Sequence, residues 1–366
     1  MVDTADLNEP LAKFWKINDD EIPKYLDIEN KLIDANKKLI PLLNSSSFGG
    51  TFINAKTSTI HIFTVDDSKI LDILFAPDMQ SYIDYFTFDT VLNSLDKLNI
   101  LFNQIIESAK QFKPLNVLMF IDVEINNVTL YLNTDLRVNI PFINDIKKYK
   151  PNIQKREPRT AAINDVILSG EGIIGYNKSC SAGYWAKTIR KPNDDYLVTA
   201  GHCVQDFFFI SPWNTKNKTE FIGPVLHHST DPYDFAVINI TNQDIIPRAV
   251  IRNTDVSEYA GLIIKRFNPT INSGVHICKS GHTTHLTCGY TRGFNGIYIH
   301  EKGTVKNLLF SDGITMRGDS GGAVFRYFQL NMVSLIGVVS VGAKGVSGFT
   351  LVEDIYSQSG LIPVVN

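Results

Sequence analysis

The stretch Gly318-Asp319-Ser320-Gly321-Gly322 sets one hydroxyl among glycines, whose missing side chains leave the approach to that serine open. A serine hydroxyl is a weak nucleophile at neutral pH. It needs a base within hydrogen-bond reach, and N–H groups to hold the oxyanion that forms on an attacked carbonyl. Gly318 and Ser320 are expected to supply those N–H groups, because glycine reaches backbone angles that turn its amide toward such a site. A glycine-rich loop alone is also what an ordinary turn looks like, so two further stretches decide the reading. Thr199-Ala200-Gly201-His202-Cys203 follows the strand-like Tyr196-Leu197-Val198 and leaves an imidazole, the side chain that titrates nearest neutrality, where a strand ends. Asp234 opens the apolar run Phe235-Ala236-Val237-Ile238 and is the candidate carboxylate to fix the tautomer of His202. Asp231, in the turn before Pro232, is read as solvated.

The order His202, Asp234, Ser320 is one of several in which this chemistry occurs on unrelated folds, and it is the order of the chymotrypsin-type double barrel. The surrounding text agrees. Beyond Ile163 the chain becomes short apolar runs, such as Tyr196 to Thr199, Phe235 to Ile240, Leu262 to Phe267 and Val333 to Val341, separated by Gly, Asn and Ser clusters. The expected fold is an all-β catalytic domain of two antiparallel β-barrels over residues 167–366. The first half reads differently: an amphipathic helical pattern from Leu11 to Leu43, strands at Thr51 to Asn54 and Thr59 to Val65 closed by Asp66-Asp67-Ser68, a helix from Asp89 to Phe112, and strand again from Val117 to Leu132. Residues 1–150 are therefore expected to form a smaller α+β domain. Between Lys147 and Arg159 the composition turns to Lys, Pro, Arg and Asn, which reads as an exposed linker over 151–166.

With 366 residues the chain has room for two domains, each able to bury a core. Its 35 basic and 38 acidic residues, net charge −3, give no electrostatic reason to expect nucleic acid or an anionic membrane as partner. No apolar run is long enough to span a bilayer, and Met1 to Pro10 lacks the features of a secretory signal. The four cysteines, Cys180, Cys203, Cys278 and Cys288, all lie in the C-terminal half and suggest two disulfides and an oxidising compartment, hence a secreted protein.

These residues resemble the S1 serine peptidases, and within them the streptogrisin and alpha-lytic endopeptidase branch. Three stretches carry the likeness: Cys180-Ser181-Ala182-Gly183-Tyr184-Trp185 with the later Leu197 to Cys203; Cys278-Lys279-Ser280-Gly281-His282-Thr283-Thr284 with Cys288-Gly289; and the Ser320 motif with Ser340-Val341-Gly342. The resemblance implies disulfides Cys180 to Cys203 and Cys278 to Cys288. It implies a strand Ser340-Val341-Gly342 that pairs with substrate backbone, Ser340 supporting the aspartate. A fainter likeness at Phe48 to Ile53 and Phe63 to Asp67 implies that the first half is a pro-region, which in this branch acts as folding catalyst and intramolecular inhibitor. The chain would then be a monomeric zymogen acting on polypeptide, cut near Ile167 or Leu168, or earlier at Lys155-Arg156.

The sequence departs from the branch at His285, which stands where a glycine follows the two threonines and could narrow the specificity pocket or alter the loop backbone. Ile173-Ile174-Gly175 lies too close to Cys180 to serve as an inserting N-terminus, so Asp319 needs another cation, and Lys279 is the candidate. Ile314 occupies the position that holds an acid in relatives that cleave after Lys or Arg. A pocket bounded by Ile314, Thr315, Val341 and Gly342 would favour uncharged side chains. His227-His228 and His282 with His285 lack a pattern that would aim two rings at one ion, so no metal and no cofactor is expected. The alternative function is an inactive protease homologue that binds or regulates.

Overall fold

The computed structural model describes residues 9–155, 168–175, 178–190, 194–211, 213, 220–242, 244–256, 258–301, 303–343 and 345–366. Two curled sheets build the C-terminal half. The first has eight strands in the order Leu361–Pro363, Tyr184–Thr188, Tyr196–Thr199, Phe235–Asn239, Phe221–Ser229, Phe207–Ser211, Gly172–Ile174 and Ser179–Ser181. Its interior is filled by Ile173, Trp185, Leu197, Phe208, Ile222 and Ile238. The second sheet includes Gly261–Phe267, Met332–Ala343, Ala323–Gln329, His276–Gly281 and the long strand His285–His300, with Gly303–Ser311 and Val346–Leu351 alongside. Among these strands the pairings are antiparallel except that Gly261–Phe267 runs parallel to Met332–Ala343. Between the sheets, Tyr184, Val198 and Phe235 of the first meet Phe325, Leu335 and Val338 of the second in one buried cluster. The expected all-β, chymotrypsin-like architecture is present. Ile173-Ile174 is strand interior, with Ile173 fully buried.

The N-terminal half is α+β. Ser94 caps the helix Leu95–Phe112 by accepting from the Lys97 N–H, and Leu98, Phe102, Ile105 and Ala109 form its buried stripe at spacings of three and four. Lys113 in the left-handed region and Pro114 after it end the helix. The strands Phe48–Asn54 and Thr59–Thr64 form the expected hairpin, but its turn is Ala55 to Ser58; Asp66 instead caps the next short helical turn, its side chain accepting from the Ser68 N–H. The helix expected from Asp89 begins later because Phe86–Thr90 is a strand, parallel to Thr59–Thr64.

The two halves share a sheet. Val117–Asp122 pairs with His285–His300, Met119 opposite Ile297 and Leu118 opposite Tyr298, so the N-terminal strands Val117–Asp122, Asn127–Leu132 and Asn152–Lys155 continue the second sheet. The stretch 151–166, read as linker, thus begins as a strand: Asn152–Lys155 pairs with Asn127–Leu132 because main-chain hydrogen bonding at a sheet edge tolerates polar side chains. Residues 156–166, with Arg156 of the dibasic pair, and Ile167 lie outside the described residues. Among the described residues no helix is long and apolar enough to cross a membrane.

Candidate active site

Strand pairing delivers the first two side chains. Tyr196–Thr199 and Phe235–Asn239 run antiparallel with Thr199 opposite Ala236, so the residues just after the one strand lie beside those just before the other. His202, in the helical turn Gly201–Cys203, therefore meets Asp234. One carboxylate oxygen of Asp234 accepts the His202 backbone N–H at 2.8 Å, and the other lies 2.7 Å from Nδ1 of the ring. Ser340 Oγ donates to that second oxygen at 2.6 Å. Asp234 is 2% exposed. Burial works against its charge, but His202 and Ser340 more than compensate and hold the carboxyl below its ordinary range. An ionised carboxylate only accepts, so Nδ1 carries the proton and the Nε2 lone pair is left free. The His202 side chain is 42% exposed at the cleft; the packing around the ring opposes its charged form, but Asp234 outweighs this and leaves the ring above its ordinary pKa.

Ser320 lies between the sheets. Its carbonyl accepts from the Ser181 N–H, and Gly321 N–H donates to Val339 O, which ties the turn to both sheets. Gly318 and Gly321 have φ of +100° and +84°, and a Cβ on Gly321 would lie 2.0 Å from Thr199 Oγ1. Glycine is required at both. Neither Gly318 N–H nor Ser320 N–H has an acceptor among the described residues, and Ser181 Oγ fixes the intervening backbone by donating to Gly318 O at 2.7 Å. Ser320, His202 and Asp234 line one cleft of about 520 Å³. Among the described residues no hydrogen bond joins Ser320 Oγ to the His202 ring; such contacts are often long before substrate binds.

Under the turn, Asp319 is fully buried and accepts from the N–H groups of Thr283, Thr284 and Met316 and from Thr284 Oγ1. Lys279 Nζ lies 3.3 Å away, the cation that the sequence had suggested. Both disulfides, Cys180–Cys203 and Cys278–Cys288, are formed.

Thr315, Ser340, Val341 and Gly342 line the cleft, whereas Ile314 does not: half exposed, it turns outward while its carbonyl accepts from Thr287 Oγ1. His285 is not in the cleft either. Its ring stacks on Trp213 at 4.0 Å and its Nδ1 meets Asp255 at 2.7 Å, so of the two effects expected of it only the altered backbone, φ +52°, is seen. His282 is buried and kept neutral, burial pulling its pKa down to about 4, and no cluster of metal-ligating side chains occurs among the described residues. Sequence reasoning missed Tyr298, His300, Met316 and Arg317 as cleft residues, and missed Asn116, Asn133 and Leu136, which reach it from the N-terminal half. Met316 and Arg317 adjoin the serine motif and could have been inferred; the N-terminal three carry no local signal.

Residues 191–356 match the Trypsin family model. Over these residues the chain is similar to the serine endopeptidases of the trypsin family. Glutamyl endopeptidase 2 of Streptomyces griseus is 27% identical over 164 residues, covering 43% of this chain and 79% of that protein. Streptogrisin-C of the same organism is 20% identical over 323 residues, 87% of this chain and 66% of its own length. Protease A of Thermobifida fusca superposes with a TM-score of 0.45 at 21% identity, over 55% of this chain and 99% of that one.

Proposed function

We propose that the chain hydrolyses peptide bonds with Ser320 as nucleophile, His202 as base and Asp234 as the carboxylate that orients it. Ser320 Oγ attacks the scissile carbonyl carbon as its proton passes to His202 Nε2, and the N–H groups of Gly318 and Ser320 hold the resulting oxyanion. Collapse breaks the C–N bond, His202 gives its proton to the departing amine, and an acyl ester on Ser320 remains. Water then attacks that ester with His202 again as base, releasing the acid and restoring the serine. The observation that carries this reading is the doubly hydrogen-bonded His202–Asp234 pair on the cleft that Ser320 lines.

The N-terminal half is proposed as a pro-domain: the chain is a secreted, monomeric zymogen, and this half restricts the cleft until the chain is cut near Ile167 or Leu168, or earlier at Lys155-Arg156. Its placement over the cleft through Asn116, Asn133 and Leu136 supports the inhibitory role. Among the described residues lining the cleft, Asp234 is the one carboxylate and its charge is committed to His202, which argues against basic side chains next to the scissile bond. Uncharged side chains fit the apolar wall of Val305, Val339 and Val341. A second reading, acidic side chains, is favoured by Arg317 and His300 on the same cleft and by the likeness to a glutamyl endopeptidase.

Intact-mass measurement after treatment with an active-site phosphonofluoridate tests the mechanism. One adduct on the cut wild type, lost in Ser320→Ala, is the expected result. A folded, cut protein without an adduct would favour the inactive-homologue reading. Peptides that differ only in Leu, Glu or Lys before the scissile bond decide the preference.

A further inference from the structure

An oxyanion hole works only if its amides are aimed before the carbonyl arrives. A trans peptide unit is planar, with its C=O and N–H pointing in opposite directions, so an N–H is aimed by whatever holds the carbonyl behind it. Behind the Ser320 N–H stands Asp319 O, which accepts the Gly322 N–H at 2.9 Å, a bond made by the backbone of the turn itself. Behind the Gly318 N–H stands Arg317 O, and its partner is a side chain: Thr283 Oγ1 donates to it at 2.7 Å. We propose that Thr283 is a positioning residue of the oxyanion hole, its hydroxyl holding the Arg317–Gly318 peptide so that the Gly318 N–H faces the attacked carbonyl. The inference rests on the peptidase reading of the site and goes beyond it, since that reading gives Thr283 no part.

This peptide is the weak point of the hole. Turning it over rotates ψ of Arg317 and φ of Gly318 together, and glycine gives little resistance because both signs of φ are open to it. Gly318 sits at φ +100°. A turned peptide would aim the Arg317 carbonyl at the place where the oxyanion forms, and attraction would become repulsion. The next peptide is pinned from another side: Ser181 Oγ donates to Gly318 O at 2.7 Å and accepts the His282 N–H at 2.8 Å. That bond fixes the chain after Gly318 and leaves the peptide before it to Thr283. Among the described residues Arg317 O has no other hydrogen-bond donor.

A short hairpin delivers Thr283 to this place. The strands His276–Gly281 and His285–His300 pair with Gly281 opposite His285, which leaves His282-Thr283-Thr284 as a three-residue turn, and the Cys278–Cys288 disulfide joins two directly paired residues behind it. Asp319 Oδ1 accepts from the N–H groups of Thr283 and Thr284 at 2.8 and 2.9 Å, so the turn is clamped to the residue before Ser320. A Cβ at position 318 would lie 2.2 Å from Thr283 Oγ1; the hydroxyl comes this close only because residue 318 is glycine. Thr283 therefore has two links to the serine turn. The backbone link to Asp319 survives a change of side chain, and the hydroxyl link to Arg317 O does not.

The test uses the full chain, cut as for the labelling experiment, in wild type, Thr283→Val and Thr283→Ser. The probe is a blocked peptide aldehyde ending in whichever of Leu, Glu or Lys the wild type prefers. It adds to Ser320: the Oγ–C bond forms, the carbonyl π pair moves onto oxygen as an oxyanion, and the serine proton passes to His202 Nε2. The matching peptide alcohol has no carbonyl to attack and reads the subsites alone. Thr283→Val is expected to weaken inhibition by the aldehyde and to lower kcat, each by roughly tenfold to a hundredfold, with KM and inhibition by the alcohol unchanged. Thr283→Ser keeps the hydroxyl and should stay within about threefold of wild type. Unchanged kcat and aldehyde inhibition in Thr283→Val would overturn the proposal. So would equal losses for aldehyde and alcohol, which would make Thr283 a shaper of the pocket and not of the hole. Should Thr283→Val not fold, as read by urea unfolding, Thr283→Ala removes the same hydroxyl with less bulk and carries the same expectation. A wild type that takes neither phosphonofluoridate nor aldehyde but binds the alcohol would refute the peptidase reading itself, a result distinct from a Thr283→Val that behaves as wild type.

Discussion

Lys279 Nζ stands 3.3 Å from Asp319 Oδ2 directly beneath the turn that carries Ser320, and both side chains are almost wholly buried. Burial favours the neutral form of each. For Asp319, burial opposes the charge but Lys279 and the Thr284 hydrogen bonds prevail and hold the carboxyl below its ordinary range. The lysine is itself lowered by burial, which the aspartate offsets in part. The pair thus fixes the turn's shape at a desolvation cost that each partner repays only while the other is present.

Replacing one partner should be severe. Lys279→Met leaves a buried carboxylate without its cation, held by hydrogen bonds alone, and is expected to cost about 3 kcal/mol of stability, measured by urea unfolding. Phosphonate labelling at a temperature where the variant stays folded should be slower than in wild type, because Gly318 and Ser320 are positioned through Asp319. Normal stability would show that the pair is not a support of the turn.

The pH profile follows from His202. In the proposed mechanism His202 works as base only when neutral, and Asp234 raises its pKa above the ordinary 6.5, so the acid limb of kcat/KM should have its midpoint above that value. Asp234→Asn removes the charge that raises it: the limb should move to lower pH while kcat falls roughly 10,000-fold through loss of the correct tautomer. A limb unmoved by this change would mean that another group is being titrated.

Glu9 gives a stability prediction of the opposite kind. Its carboxyl is buried beside Asn253, one oxygen without a partner, and burial, with further contributions from Asp19 and Glu258, pushes its pKa up to about 7. The folded protein therefore binds this proton more tightly than the unfolded chain, and stability falls as pH rises from about 4.5 to about 7. Glu9→Gln should raise Tm at pH 8 and have little effect at pH 4. An equal shift at both would point to packing and not to charge.

The disulfide Cys180–Cys203 spans 23 residues of chain, and its loss should destabilise by about 3 kcal/mol through the greater freedom of the unfolded state. The double variant Cys180→Ser with Cys203→Ser, compared with wild type by thermal unfolding under oxidising conditions, measures this directly. Because Cys203 follows His202, labelling of Ser320 should also slow.

The sequence by itself determined the chemical types, their order and the strand text around them. His202, Asp234 and Ser320 were singled out by local pattern: a glycine-flanked serine, an imidazole where a strand ends, an acid opening an apolar run; the four cysteines stood out by their even number in one half of the chain. Lys279 was named as the cation for Asp319 on the family resemblance, in which a basic residue holds the matching place. The tertiary structure alone decided where Ile314 and His285 point, since a residue near a motif can face either side of its loop, and the partner that settles the matter, Thr287 or Trp213, comes from elsewhere in the chain. It alone made a strand of Asn152–Lys155, whose polar side chains are compatible with a linker but whose backbone bonds complete a sheet edge. It alone brought Asn116, Asn133 and Leu136 to the cleft and Glu29 to His276. Those meetings depend on two halves docking across long sequence separations, and hydrophobic burial, which drives such docking, is non-directional and leaves no spacing in the sequence by which to read it.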